Sequence, residues 1–213
     1  MKIFIPIKNI SQRVPKKNFR KFKDEPLYKH TLIKFKNHEI YVDTDSDQII
    51  KEVLNDHRLK HVTAYRRDED LLGHKVSVCD LIKRFIIKFS IKQPIAQIHV
   101  TSPFLKCQTL NDALRFMKDY DSVASCNRHN SRFWRKESYG YCPVNHNPLK
   151  MEQTQDLPAL YEENSAFYIF NPMVILFTGN RIGKNPYFYP ITHPENLDID
   201  TESDWQKALE QLK

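Results

Sequence analysis

Two carboxylates one residue apart, Asp198 and Asp200 in LDIDTESDW, and a run of cations in KNISQRVPKKNFRKF have the types and spacing for chemistry on a phosphate. The cations are Lys8, Arg13, Lys16, Lys17, Arg20 and Lys21. In a strand, residues two apart project to the same face, so both carboxylates can meet one hard cation such as Mg²⁺, which takes oxygen ligands and usually bridges substrate phosphates. A plainer reading has Asp200 merely opening the last helix, where negative charge suits the helix dipole. The cations also admit two readings. Either they are solvated surface charge, or lysine and arginine replace a glycine-rich turn as the device that cradles a triphosphate. No Gly-Lys-Ser phosphate loop is present.

Composition narrows the partners. The 213 residues are 40% hydrophobic and 28% charged, which fits a single α/β domain spanning 1–213 with its own core and argues against disorder. A net charge of +7 favours a polyanion: nucleic acid, an anionic membrane surface or a small phosphate-rich ligand. Cys79, Cys107, Cys126 and Cys142 form no C-x-x-C pair, and MKIFIPIKN has no signal-peptide pattern, so a cytoplasmic location is expected. The apolar runs FYIF and MVILF are far shorter than the ~20 residues that span a bilayer, so no membrane partner is expected.

These residues need elements to position them. KIFIPI (2–7) is continuously apolar, as a strand covered on both faces of a parallel sheet would be, and HEIYVDTD (38–45), LKHVTAY (59–65), PIAQIHVTS (94–102) and DSVASCN (121–127) read as further strands. Between them, helices are expected from about Pro26, over 46–54 behind the N-cap Ser46, over 78–89 and over 109–119. The third is the clearest, because Val78, Leu81, Ile82, Phe85, Ile86 and Phe89 share one face. The alternation predicts a doubly wound, mainly parallel α/β sheet, whose ligands sit at the carboxyl ends of the strands. That rim takes the loop after Ile7, the turn at Asp43 to Ser46 and the turn at Thr101 to Phe104. Residues 127–163 break the rhythm and read as a lid or dimer arm, the excursion being placed at about 128–163. SAFYIFNP (165–172) resumes as a strand, and the chain ends in a helix with Thr201 and Asp204 as a capping pair.

Six blocks then resemble the acylneuraminate cytidylyltransferases. IPIKNISQRVPKKN is similar to that family's I-P-A-R-G-G-S-K-G-I-P-x-K-N phosphate loop, VDTDSDQI to V-S-T-D-S-x-x-I, and RDEDLLGHKVSVCDLI to R-P-E-x-L-A-x-D-x-x-S-x-x-x-x-I. HVTSPFLK resembles Q-P-T-S-P-L-R, ENSAFYIF resembles P-N-G-A-I-Y-I, and LDIDTESDW resembles I-D-I-D-T-E-x-D; the blocks occur in the family's order across residues 5–205. The resemblance implies a nucleotide-diphospho-sugar transferase fold, a homodimer built through the excursion, and transfer of CMP from CTP to the anomeric hydroxyl of a sugar acid with Mg²⁺ as cofactor. It assigns the triphosphate to Lys8, Arg13 and Lys17, with Ser11 and Asn18 fixing the loop or the nucleotide. Arg67 and Ser77 fall where the family contacts cytosine, Asp198 and Asp200 where it holds metal. Asn164 takes the sugar-contacting asparagine's place, and His99 that of the glutamine before Thr101 and Ser102, the T-S of the substrate block.

The departures bear on specificity. Lys8 replaces the loop's first arginine, Asn9 and Ile10 its two glycines, Asp68 a proline and His74 an aspartate. Thr154 and Glu162 stand where sialic acid enzymes commonly have arginines, one of which can pair with the sugar's carboxylate; a glutamate there repels a carboxylate and counts against N-acetylneuraminate itself. Arg128, Arg132 or Arg135 is a candidate replacement clamp. Two other readings remain: a nucleotidyltransferase of this fold with another nucleotide or acceptor, and a nucleic-acid-binding module using the aromatic-basic RFWRKESYGY (132–141). The latter leaves Asp198, Asp200 and the six ordered blocks unexplained. No H-E-x-x-H or cysteine-histidine spacing accompanies His129, His146 or His193, so no zinc site is expected.

Overall fold

The first strand, β1 (Lys2–Ile7), sends Ile3, Ile5 and Ile7 into one apolar layer and Phe4 into another, and all four are buried. That is what a strand covered on both faces requires. The computed structural model describes residues 1–73 and 75–212; His74, which departs from the family pattern, lies outside them. After β1 the chain forms a small ladder from β2 (Lys21–Phe22) and β3 (Glu25–Pro26), then α1 (Leu27–Lys34), β4 (Glu39–Thr44), α2 (Asp47–Asn55), β5 (Val62–Arg66), α3 (Val78–Lys88), β6 (Ile95–Ile98) and α4 (Cys107–Leu114). It continues through β7 (Ser122–His129), the hairpin β8 (Trp134–Glu137) and β9 (Gly140–Pro143), β10 (Leu160–Phe170), α5 (Pro172–Thr178), β11 (Pro186–Pro190) and α6 (Glu202–Glu210).

Among the described residues a seven-stranded sheet has the order β11-β7-β10-β6-β1-β4-β5. All neighbours pair in parallel except β10, which runs antiparallel between β6 and β7. The expected doubly wound, mainly parallel sheet is therefore present. Helices cover both faces: Tyr28, Leu32, Val53 and Leu110 of α1, α2 and α4 join the layer of Ile3 and Ile5, while Leu81, Ile82, Phe85 and Ile86 of α3 join that of Phe4. Phe85 stacks on Phe4 with ring centroids 4.8 Å apart, a pairing worth about 0.5–1.5 kcal/mol beyond the buried area.

Several boundaries differ from those read off the sequence. The fourth strand stops at Ile98 instead of 102, because residues after it turn back, with Ser102 N donating to His99 O at 3.3 Å. The helix expected over 109–119 is α-helical only over Cys107–Leu114 and tightens into a 3-10 turn over Arg115–Lys118. The excursion is shorter than 128–163, since β7 runs to His129 and β10 already begins at Leu160. Helix α5 and edge strand β11 are not foreseen, although Pro172 at the first turn and Gly179 in the left-handed region (φ 78°) are ordinary helix start and stop signals. Strand β11 hides behind its flanking prolines, which an edge position tolerates.

Candidate active site

Lys8, Arg13 and Lys17 come from one loop, and the structure brings all three to one cavity of about 210 Å³ at the carboxyl end of β1. Ser11, Asn18, His99 and Thr101 line the same cavity. The loop is held by its own polar groups: Asn18, 7% exposed, donates from Nδ2 to Lys8 O at 2.8 Å, and Asn9 N donates to Asp45 Oδ1 at 2.6 Å. Asn9 and Ile10 thus occupy the places of two glycines in a loop fastened from the β4–α2 turn. Arg20, from the same basic stretch, faces elsewhere. It forms a two-pronged pair with Glu202 at 2.6 and 2.8 Å and lies 4.3 Å from the Trp205 ring centroid, pinning the loop to α6.

Asp198 and Asp200 are not in a strand, contrary to the geometry expected for them, yet they alternate as if they were. Ile199 between them is fully buried against Phe22, Leu27 and Trp205, and its N–H donates to Thr101 O at 2.9 Å, which leaves both carboxylates on the opposite side. Asp200 Oδ1 is 2.8 Å from Arg13 Nη2 and 3.5 Å from Lys17 Nζ, while Lys17 Nζ also donates to Ile199 O. The helix start does not consume this carboxylate. The capping box of α6 is made by Thr201 and Asp204.

Asp198 Oδ1 is buried without a hydrogen-bond partner among the described residues. Burial pushes the Asp198 carboxyl above its usual range, reinforced by the charge of Asp200 and opposed by the Thr101 hydroxyl and by Lys17 and Arg13. An orphaned carboxylate oxygen beside a second carboxylate fits a hard cation. Among the described residues no cluster of three or more His, Cys, Asp or Glu could hold a metal, so a cation here would complete its shell from substrate phosphate and water.

A second cavity of about 240 Å³ shares Pro6, Lys8 and His99 with the first and adds Arg67, Val76, Val78 and Leu81. Arg67 is 2% exposed, its Nε donates to Asp43 Oδ1 and its Nη2 donates to Asp43 O at 3.2 Å. Asp43, whose carboxyl burial raises and Arg67 pulls down, is placed by the sequence only as the start of a rim turn, with no role; a charged residue inside the apolar EIYVDT run was the available signal for one. Ser77 flanks this cavity between Val76 and Val78, but its hydroxyl is engaged in the α3 capping box, donating to Asp80 Oδ2 at 2.7 Å and accepting from Asp80 N.

The acceptor-side residues divide. His99 and Thr101 reach the first cavity, whereas Ser102 is 2% exposed and supports the turn through its carbonyl, which accepts from Leu105 N at 3.3 Å. Asn164 sits in an amide cluster: its Nδ2 and that of Asn196 both donate to Asn127 Oδ1, at 3.1 and 2.9 Å. Glu162 is tied to Asn127 Nδ2 at 3.0 Å and His129 Nε2 at 2.9 Å. Thr154 begins a 3-10 turn on the arm, where Arg132 donates to Glu152 O and Arg135 pairs with Glu137. Sequence reasoning also missed Gln97 and Arg181. Gln97, fully buried in β6, bonds His99 on one side and Arg181 on the other.

A model of the family described as Cytidylyltransferase matches residues 3–213. The N-acylneuraminate cytidylyltransferase of Streptococcus agalactiae serotype V is 25% identical over 219 residues, covering 98% of this chain and 52% of that protein. The N-acylneuraminate cytidylyltransferase B of Danio rerio is 24% identical over 211 residues, covering 95% and 49%. The chain therefore spans about half the length of these relatives. Among solved structures, a CMP:2-keto-3-deoxy-manno-octonic acid synthetase complexed with CTP superposes with a TM-score of 0.68 at 15% identity, covering 99% of this chain and 97% of the other. The 4-diphosphocytidyl-2C-methyl-D-erythritol synthase of Anaerococcus prevotii gives 0.66 at 13% identity, covering 99% and 95%. These likenesses show that the doubly wound, mainly parallel fold is shared with both solved structures.

Proposed function

The chain belongs to the cytidylyltransferase family, and on that premise we propose that it transfers CMP from CTP to the anomeric hydroxyl of a sialic-acid-like 2-keto sugar acid, releasing pyrophosphate. The supporting observation is the convergence of Lys8, Arg13, Lys17, His99 and Thr101 on one cavity whose cations are faced by Asp200. Attack of a hydroxyl on an α-phosphate needs charge neutralisation and in-line positioning more than covalent help. Lys8, Arg13 and Lys17 hold the triphosphate, Asn18 keeps the loop in shape, and Ser11 faces the nucleotide. Asp198 and Asp200 would hold Mg²⁺, which supplies positive charge against the phosphates. The adjoining cavity takes cytosine, with Arg67 oriented by Asp43 and Ser77 at its edge. His99, Thr101, Ser102 and Asn164 belong to the acceptor side.

Two assembly-level statements go with this reading. The arm exposes Tyr139, Tyr141, Leu149 and Met151 at 80%, 67%, 95% and 92%, and large apolar side chains exposed on one arm support a homodimer that covers them. Free cysteines support a cytoplasmic location, and among the described residues no helix is long and apolar enough to cross a membrane.

The test is pyrophosphate release with Mg²⁺, each of CTP, ATP, GTP and UTP, and acceptors of the neuraminate, pseudaminate, legionaminate and Kdo types. Release with CTP and at least one of these acids is expected. Release with another nucleotide in preference to CTP overturns the base assignment, and no release with any acid overturns the acceptor class.

A further inference from the structure

His99 stands at the junction of the two cavities, and its two ring nitrogens have different surroundings. Nε2 lies 2.8 Å from Gln97 Nε2. Nδ1 has no hydrogen-bond partner among the described residues, and His99 lines both cavities.

The orientation of the Gln97 amide decides which ring nitrogen carries the proton. Arg181 Nη1 is 2.6 Å from Gln97 Oε1, and a guanidinium can only donate, so the oxygen of the amide must face Arg181. The NH₂ group is then the one facing His99, and an NH₂ can only donate. His99 Nε2 must therefore accept, which leaves the hydrogen of a neutral imidazole on Nδ1.

The far end of this chain is itself braced. Arg181 lies over the Tyr168 ring at 3.6 Å from its centroid and has no carboxylate partner among the described residues. The backbone just after it is held, Ile182 N donating to Asn180 Oδ1 at 3.4 Å and Gly183 N to Ser122 Oγ at 2.9 Å. Burial of the site disfavours the imidazolium, and the Arg181 cation beyond Gln97 adds to that effect.

We propose that Arg181 and Gln97 are positioning residues that lock His99 as the Nδ1–H tautomer, so that it presents a single hydrogen-bond donor to an oxygen of the sugar-acid acceptor. This deepens the functional reading above and rests on it for the identity of the acceptor. A glutamine at this place can offer an amide N–H from its own side chain; a histidine offers an equivalent donor only when its other nitrogen is held as acceptor, and Gln97 with Arg181 supplies that condition.

The test combines a spectroscopic readout that needs no acceptor with a kinetic one. In the full chain labelled with ¹⁵N-histidine, and with the His99 signals identified from their loss in His99→Gln, a pyrrole-type Nδ1 and a pyridine-type Nε2 are expected. Gln97→Glu keeps the size and the bond to Arg181 but turns the group facing His99 into an acceptor, so the proton should move to Nε2. With the best acid of the acceptor panel, this variant should raise KM about five- to a hundredfold while CTP affinity, read by calorimetry, stays at the wild-type value. His99→Gln, which restores an amide donor, should keep a KM close to wild type, and His99→Ala should not. A wild-type signal from Nε2–H overturns the relay whatever the acceptor is. An active wild type whose KM is unchanged by His99→Ala, or by Gln97→Glu when the ¹⁵N signals show that Nδ1 has lost its proton, overturns the role given to His99. Failure of the wild type with every acid, with the Nδ1–H signal intact, overturns the acceptor reading and leaves the tautomer lock supported.

Discussion

Arg13 Nη2 lies 2.8 Å from Asp200 Oδ1, so the cation of the loop after β1 and the carboxylate ahead of α6 are partners across the mouth of the cavity. The Arg13 side chain is 67% exposed, and exposed pairs of this kind contribute about 0–1 kcal/mol to stability. Charge-assisted phosphate contacts contribute roughly 1.5–3 kcal/mol. Arg13→Ala and Lys17→Ala are therefore expected to weaken CTP binding about ten- to a hundredfold, by calorimetry, with little change in Tm. Normal CTP affinity in both would return the basic loop to solvated surface.

Asp198→Asn and Asp200→Asn should each remove most pyrophosphate release across a Mg²⁺ titration, because the amide keeps the size and loses the charge. Their stabilities should part company. Burial raises the folded-state pKa of Asp198 above the ordinary 3.8, so its contribution to stability is complete below that pH and is lost as pH rises through the folded value. At neutral pH the charged Asp198 is then a liability, and Asp198→Asn is expected to melt no lower than wild type without metal. A lower melting point together with unchanged turnover would make Asp198 a structural residue.

The Arg67–Asp43 pair is buried on both sides, with each side chain 2% exposed. Breaking such a pair from one side leaves an uncompensated charge, at a cost of roughly 3–5 kcal/mol. Asp43→Ala should lower stability by that order in denaturant unfolding. The milder Asp43→Asn should reduce the preference for CTP over UTP if Asp43 orients Arg67 toward the base. Retained preference would detach Arg67 from base reading.

His30 and His99 are both pushed from 6.5 down to about 4, His30 by burial and then by Lys34, His99 by burial and then by Arg181 and Lys17. Each lowered value means that the unfolded chain takes up the proton first as pH falls. The stability these neutral rings confer is present above pH 6.5 and is lost on the way down to about 4. Each contributes a slope of at most ~1.4 kcal/mol per pH unit. Denaturant melts across this window should show a shallower slope in His30→Gln than in wild type; equal slopes would place His30 outside the titrating set.

Light scattering at micromolar concentration is expected to give the mass of a dimer. A stable monomer would leave Tyr139, Tyr141, Leu149 and Met151 without the cover proposed for them.

Much of this protein is written locally. The apolar run of β1, the one-sided spacing of α3 and the capping pair Thr201 and Asp204 are properties of a few neighbouring residues, and hydrophobic periodicity or cap chemistry determines them wherever the segment ends up. The ordered blocks likewise contained Lys8, Arg13, Lys17, His99, Asp198 and Asp200. What tertiary structure decided is which of these meet and what orients them. The antiparallel insertion of β10 between β6 and β7 sets Tyr168 opposite Gln97 in register, and with it the place where Arg181 can reach the buried amide. The alternation of Asp198 and Asp200 is produced without a strand, by burying Ile199 and bonding its N–H to Thr101. Arg67 finds Asp43 and Arg13 finds Asp200 only once the sheet is assembled. Such contacts join residues distant in the chain, so no local pattern encodes them; they follow from how the strands pair and the layers pack.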